Sequence, residues 1–372
     1  MTHRSRPLVP CLLLAAAFAV EAQTPVPSAP RSGDRPAASQ PSPQPPTANT
    51  PPAAPPPTPA QADPAVPPSG AATLDTVLVT GEQPGPGLWK VSKDDHVLWI
   101  LGSWSPLPRG MTWRSDEAEQ RIAESQEVLT APRPSVEIGF FRRLTLLPSL
   151  IGVRKNPHHE KLVDVLPPEL YARWSVLKQR YVGRDDGIES QRPVFAAREL
   201  YGKAISTSGL TLKNDAMAVV EALANKHAVK LTPVKVDIEV DDPRGAIREF
   251  KEMPPETEVA CLRATMDRLE TDLEAMKQRA NAWASGDLER LRDLPYTDQT
   301  AACIGAISSA PGLRERIQAA QARITDEWTR VAEAALARNA STFAVLPMSE
   351  LTKPDGWLDA LRRDGYAIEP PQ

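Results

Sequence analysis

Apolar positions along this chain alternate between two periods, and the switches between them predict its elements. Val97 to Leu101 is a short apolar run with a β-branched start, closed by Gly102, and predicts a buried strand. Ser115 to Gln126 places its few apolar residues on one face of a helix with Ser115 as N-cap, and Glu127 to Ala131 predicts the next strand. Strand, helix and strand in that order open an α/β sheet. Prolines then mark helix starts. Pro167-Pro168 leads a helix through Leu170, Trp174, Leu177 and Tyr181, and Pro193 leads another through Leu200. A further helix covers Asn214 to Asn225, and Val229 to Val236 reads as a strand that Pro233 confines to a sheet edge or a bulge.

The clearest periodicity is Leu262, Met266, Leu269, Leu273, Met276, Ala280 and Trp283, whose 4-3-4-3-4-3 spacing predicts one seam along a single long helix. Gly286 and Asp287 supply its stop and a new N-cap for Leu288 to Leu294. A second long helix, Leu313 to Ala337, carries a stripe through Ile317, Ile324, Trp328 and Val331. The two stripes are expected to pack on each other as an antiparallel pair, with pairing between chains as the alternative and a monomer as the expectation. The end returns to α/β character: Thr342 to Leu346 as a strand, Pro354-Asp355-Gly356 as a turn, Trp357 to Arg363 as a helix and Gly365 to Ile368 as a final strand.

Composition changes the picture at the N-terminus. Arg4 and Arg6 precede an apolar run from Leu8 to Val20, and Val20-Glu21-Ala22 ends it, which predicts a signal peptide over residues 1–22 and a periplasmic or secreted protein. From Gln23 the chain is rich in Pro, Ala, Ser, Thr and Gln, with 17 prolines between Pro25 and Pro68 and no aromatic residue before Gly70. Such a stretch buries too little apolar surface to offset its ordering entropy, so 23–86 is expected to be a disordered Pro/Ala-rich tether ahead of a folded domain over 87–372. Thr73 to Gly81, T-L-D-T-V-L-V-T-G, resembles the short box that TonB-dependent receptors present to their partner; strand-forming residues at a domain entrance are the other reading.

The net charge is −4 and falls to −5 without the leader. No basic arm or sustained Lys/Arg cluster occurs in the sequence, which argues against nucleic acid and anionic membranes as partners. No later stretch approaches the roughly 20 apolar residues of a membrane span. Beyond the leader only Cys261 and Cys303 remain, without CxxC spacing. A structural disulfide is expected, with two buried thiols as the competing reading.

Three segments carry a family resemblance. Gly87 to Pro108 is G-L-W-K-V-S-K-D-D-H-V-L-W-I-L-G-S-W-S-P-L-P; Asn281 to Leu291 is N-A-W-A-S-G-D-L-E-R-L; and Thr342 to Glu369 is T-F-A-V-L-P-M-S-E-L-T-K-P-D-G-W-L-D-A-L-R-R-D-G-Y-A-I-E. Together they resemble the TraB/GumN (Tiki-like) family over Gly87 to Pro370. The resemblance implies an α/β fold, a central sheet with a large helical insertion. It also implies a metal-assisted, hydrolase-like site at the strand ends, built from two histidines with acidic or basic helpers. Here Ser105 stands where the family places one imidazole, in Gly102-Ser103-Trp104-Ser105, and Glu350 stands at the other, in Leu346-Pro347-Met348-Ser349-Glu350. The family's acidic position falls on Ala131, or on Glu137 in a shifted alignment. Its Gly-Leu-Glu-like strand end falls near Val234-Lys235-Val236, ahead of Asp237, and its Arg-Asn-Arg motif on Ile324-Thr325-Asp326.

The resemblance with these replacements implies no catalytic residue, no metal and no cofactor. The expected protein is a degenerate family member that binds or scaffolds an envelope protein or polymer. The alternative is a metal-dependent, peptidase-like hydrolase with a rebuilt site and a divalent cation. Other chemistry-bearing residues point to solvent: His158-His159-Glu160 follows an Asn156-Pro157 turn, His96 belongs to a hairpin, and His227 closes a helix. Asp237, Glu239, Asp241 and Asp242 lack the spacing of a calcium loop and read as an acidic edge.

Overall fold

The computed structural model describes residues 75–135, 140–213, 215–237, 242–294, 303, 313–354 and 356–371, and the chain from Thr76 on belongs to one compact unit. In chain order the strands are β1 (Gly81–Gln83), β2 (Leu88–Lys93), β3 (His96–Ser103), β4 (Leu107–Pro108), β5 (Met111–Trp113), β6 (Glu127–Leu129), β7 (Arg133–Ser135), β8 (Leu210–Thr211), β9 (Lys230–Thr232), β10 (Lys235–Asp237), β11 (Ser341–Pro347) and β12 (Ala367–Glu369). The helices are α1 (Asp116–Ala123), α2 (Phe140–Leu150), α3 (Leu162–Val165), α4 (Pro168–Tyr181), α5 (Pro193–Thr207), α6 (Asp215–Lys226), α7 (Pro243–Lys251), α8 (Pro255–Thr271), α9 (Leu273–Ser285), α10 (Leu288–Asp293), α11 (Leu313–Arg338), α12 (Met348–Leu351) and α13 (Trp357–Arg363).

A six-stranded mixed sheet in the order β12-β2-β3-β11-β6-β9 forms the centre. β12, β2 and β3 pair antiparallel, while β3, β11, β6 and β9 run parallel. The central strands need apolar side chains on both faces, and β11 supplies them as five consecutive buried residues from Thr342 to Leu346. α1 packs against α6, and α11 against β3, β11 and α13. One apolar core lies around this sheet and includes Leu98, Ile100, Val128, Trp328 and Phe343. A second core, within the helical insertion, gathers Leu170, Trp174, Leu200, Leu262 and Met266 from α4, α5 and α8. The chain is thus an α/β protein with a large helical insertion.

Local chemistry explains the helix starts. Prolines open α4, α5, α7 and α8, where a missing N–H costs nothing. Asp242 caps α7 by accepting from the Gly245 N–H, and Asp287 caps α10 by accepting from the Arg290 N–H. Gly286 ends α9 with φ of 75°, and a Cβ there would meet the Gly85 carbonyl at 2.7 Å, so glycine serves both the turn and the close approach. Pro233 splits the expected Val229–Val236 strand into β9, at the edge of the main sheet, and β10, which pairs with β7.

Two expectations are corrected. The seam from Leu262 to Trp283 is not one helix: it breaks at Asp272, whose carboxylate takes Arg279 at 2.6 Å and Arg268 at 3.5 Å. Apolar spacing continues across the break, so it gives no sign of it. The two long stripes do not form a pair. The α11 stripe faces the sheet, whereas α8 lies against α5. Cys261 and Cys303 form a disulfide inside the second core, with Cα atoms 4.4 Å apart. By chain entropy a loop of 42 residues contributes at most roughly 4 kcal/mol.

Ordered structure begins before Gly87. Thr76 donates its N–H to Glu274, Val79 donates to Asn281 Oδ1, and Asn281 returns a bond to the Val77 carbonyl. β1 then pairs with β5. The end of the expected tether and the TonB-like box from Thr76 on therefore run along α9. No described helix is long and apolar enough to cross a membrane.

Candidate functional site

The parallel strands β3, β11 and β6 bring their carboxyl ends to one edge of the sheet, the edge where open α/β sheets place ligands. Gly102 and Ser103 of β3 lie opposite Leu346 and Pro347 of β11 in register, so the two sequence motifs do meet in space. What fills the space between them is apolar. A Cβ on Gly102 would stand 2.6 Å from Met348 Cε, 2.8 Å from its Sδ and 3.2 Å from Leu351 Cδ1. Met348 is fully buried. The indole of Trp283, also fully buried, donates its N–H to the Gly102 carbonyl at 2.7 Å and meets Trp113 edge-on at 6.2 Å. The Met348 thioether and Leu351 thus pack where a side chain at Gly102 would stand, and the Trp283 indole caps its carbonyl.

The motif side chains are turned to structural partners. Ser103 donates to the Leu346 carbonyl at 3.2 Å, tying the two strand ends. Ser105, before a cis proline, donates to the Leu212 carbonyl at 3.4 Å. Glu350 lies on α12, 4.0 Å from Lys353. Among the described residues no hydrogen bond or ion pair joins Ser105 to Glu350. Ala131 offers no donor, and Glu137 lies outside the described residues. Val236 is buried, while Asp237 is exposed and its carbonyl accepts from Arg323. Ile324 packs on the sheet core and Thr325 accepts from the Trp357 indole at 3.1 Å.

A divalent ion of the family's type needs imidazole or carboxylate donors that converge. The residues at this edge are a serine, a thioether, an indole and one carboxylate facing a lysine. They do not fit such an ion, and among the described residues no three His, Cys, Asp or Glu side chains gather to hold one. Elsewhere, His227 shares the Glu119 carboxylate with Lys226, at 2.8 and 2.5 Å; bonds from Lys226 and then His227 hold that carboxyl below its usual range. The pair links α1 to α6. His96 approaches the Asn339 carbonyl through Nδ1 at 2.7 Å, and His158 and His159 are exposed on a turn.

Beside the sealed edge lies a cleft of about 650 Å³, lined by Leu88 at the start of β2 and by Trp113. Its rim carries Asp116, Glu117, Asp287 and Glu289 against a single cation, Arg114, so its field attracts positive charge. Sequence reasoning missed this cleft, because its residues come from four separate segments that only the fold brings together, although two of those segments lie in the stretches that carry the family resemblance.

The buried polar network of the sheet sits at the opposite, amino edge. Glu127, at the start of β6, accepts from Thr232 at 2.8 Å, from Asn339 at 2.7 Å and from the Arg338 guanidinium. Burial pushes its pKa up, but these three bonds and the Arg338 charge outweigh it and hold the carboxyl below the ordinary glutamate value. A depressed folded pKa means stability that is present above the unfolded value and lost as pH falls through the folded one. The difference in urea midpoint between the native chain and Glu127→Gln is therefore expected to be widest near pH 7. It should close below about pH 4, and a constant difference would rule the network out as its source.

A model of the TraB/PrgY/gumN family matches residues 87–370. No curated protein and no solved structure matches the chain.

Proposed function

Since this chain belongs to the TraB/PrgY/gumN family but carries Ser105 and Glu350 where the family's imidazoles are expected, with apolar packing over the strand end beside them, we propose that it is a catalytically degenerate member. Its role on this reading is to bind or scaffold a protein or polymer of the periplasm or cell envelope. The observation that carries the reading is the seal over Gly102. Met348 and Leu351 close on the strand end from α12, and Trp283 takes the carbonyl from α9. A water nucleophile or a metal would have to displace buried apolar atoms there, at a cost of about 25 cal/mol for each Å² of apolar surface exposed. Export rests on the basic and apolar leader, Arg4 to Ala22.

The competing reading is a hydrolase with a rebuilt site, in which Ser105 or Glu350 would have to act. Metal analysis of the purified protein with a peptidase and esterase panel separates the two. Ser105→Ala and Glu350→Ala are expected to leave every measured rate within about twofold of the native chain, since neither group is poised on a reacting atom. A fall of about 100-fold from either change would establish the hydrolase instead. Pull-down from envelope extracts identifies the partner on the binding side.

A further inference from the structure

The sequence holds no long basic run, yet the fold assembles one around an exposed apolar helix. α2 buries Leu146 and leaves Leu144, Leu147 and Leu150 exposed, followed by Ile151; Leu147 is 57% and Ile151 76% exposed. Leu144, Leu147 and Ile151 are spaced three and four apart, so they share one face, and Gly152 turns the chain beyond them with open space around it. No Asp or Glu occurs from Ile138 to His159, a stretch that contains Arg142, Arg143, Arg154 and Lys155.

α7 packs against α2 and adds to the same charge. Arg244 donates to the Thr145 carbonyl at 3.0 Å and Lys251 donates to the Ile151 carbonyl at 3.0 Å. Arg248 lies between them at helical spacing, exposed on the same side of α7. Arg154 and Lys155, also exposed, follow directly in the turn after Ile151. Glu249 lies on another side of α7, and Glu252, four residues after Arg248, follows its end; both are exposed to water.

We propose that this face docks on an anionic phospholipid surface, with Leu147 and Ile151 entering the headgroup boundary and the surrounding cations meeting lipid phosphates. Exposed apolar side chains flanked by cations fit an interface that is apolar below and anionic above. A protein partner would be expected to offer a groove for the leucines, whereas the cations that α7 and the turn after Ile151 set beside this face match a plane of phosphate. The inference does not depend on whether the strand-end site is catalytic.

Co-sedimentation of the full chain with vesicles tests it, comparing pure phosphatidylcholine with vesicles of roughly one-third phosphatidylglycerol. The apolar leader is common to every variant, so the differences report on α2 and α7. The native chain is expected to bind the anionic vesicles at least about tenfold better. Leu147→Glu with Ile151→Glu should abolish that preference, and Arg154→Glu with Arg248→Glu should lower it by about tenfold or more. All four positions are exposed, so thermal melting should be unchanged and will show that the variants fold. Equal binding to both vesicle types overturns the proposal. So does a native dimer that Leu147→Glu converts to monomer without changing vesicle binding, which would mean a second copy covers the face.

Discussion

Glu258→Ala is expected to lower the free energy of unfolding by about 3–5 kcal/mol, measured by urea denaturation. Its carboxylate is buried in the helical insertion against Arg192, which is itself 3% exposed. Arg192 bonds Glu258 through Nε at 2.8 Å and again through Nη2, and its remaining donors reach the Lys251 and Phe250 carbonyls at 3.0 Å. The guanidinium also lies over the Phe250 ring at 4.9 Å. One side chain thus ties the start of α5 to the end of α7 and to α8. Removing Glu258 leaves a buried cation facing two carbonyls and no charge. Burial pushes the Glu258 pKa up, and Arg192 pulls it only partly back. For a raised carboxyl the associated stability is full below the unfolded pKa and lost as pH rises through the folded one, so ionisation of Glu258 opposes folding at neutral pH. Arg192→Met combined with Glu258→Leu should therefore recover much of the loss that either change causes alone. A single-site loss under about 1 kcal/mol would show that the pair is solvated.

Trp283→Ala should cost a comparable amount, about 3–5 kcal/mol, because it empties the space at the carboxyl edge of the sheet. Part of that cost is the cavity and part is the Gly102 carbonyl, buried and without its indole donor. Trp283→Phe separates the two: it keeps most of the volume and removes the donor, for about 1–3 kcal/mol. The alanine variant also tests the seal. Added indole at about 100 times its dissociation constant is expected to restore some 2–3 kcal/mol by mass action if a cavity opens. If Trp283→Ala melts like the native chain and ignores indole, the edge is not held by this side chain.

Much of the fold was legible because local chemistry and periodicity agree. β3, α4, α5, α11 and β11 all follow from apolar spacing with proline or glycine punctuation. The helix break at Asp272 and the packing of α11 on the sheet were not legible. The first depends on two arginines that converge on one carboxylate, and the second on a choice among apolar surfaces that spacing leaves equal. At the candidate site, the motif positions Ser105 and Glu350 were readable from the family pattern. The thioether and indole that close the edge were not, since Met348 and Trp283 are apolar residues that a sequence assigns to any core. The cationic face around α2 is the same case: its charges are distant in the chain and adjacent only after α7 packs.

β11 lies between β3 and β6, and it pairs with β3 along its length and with β6 from Thr342 to Ala344. Its residues, Ser341–Pro347, follow the whole helical insertion. Seen in order of synthesis, β3 and β6 emerge first, and the slot between them is filled only when β11 follows. The sheet closes only after the whole insertion has been made, so its folding is delayed until β11 has emerged. A chain shortened ahead of Ser341 would leave two open strand edges able to pair with other molecules.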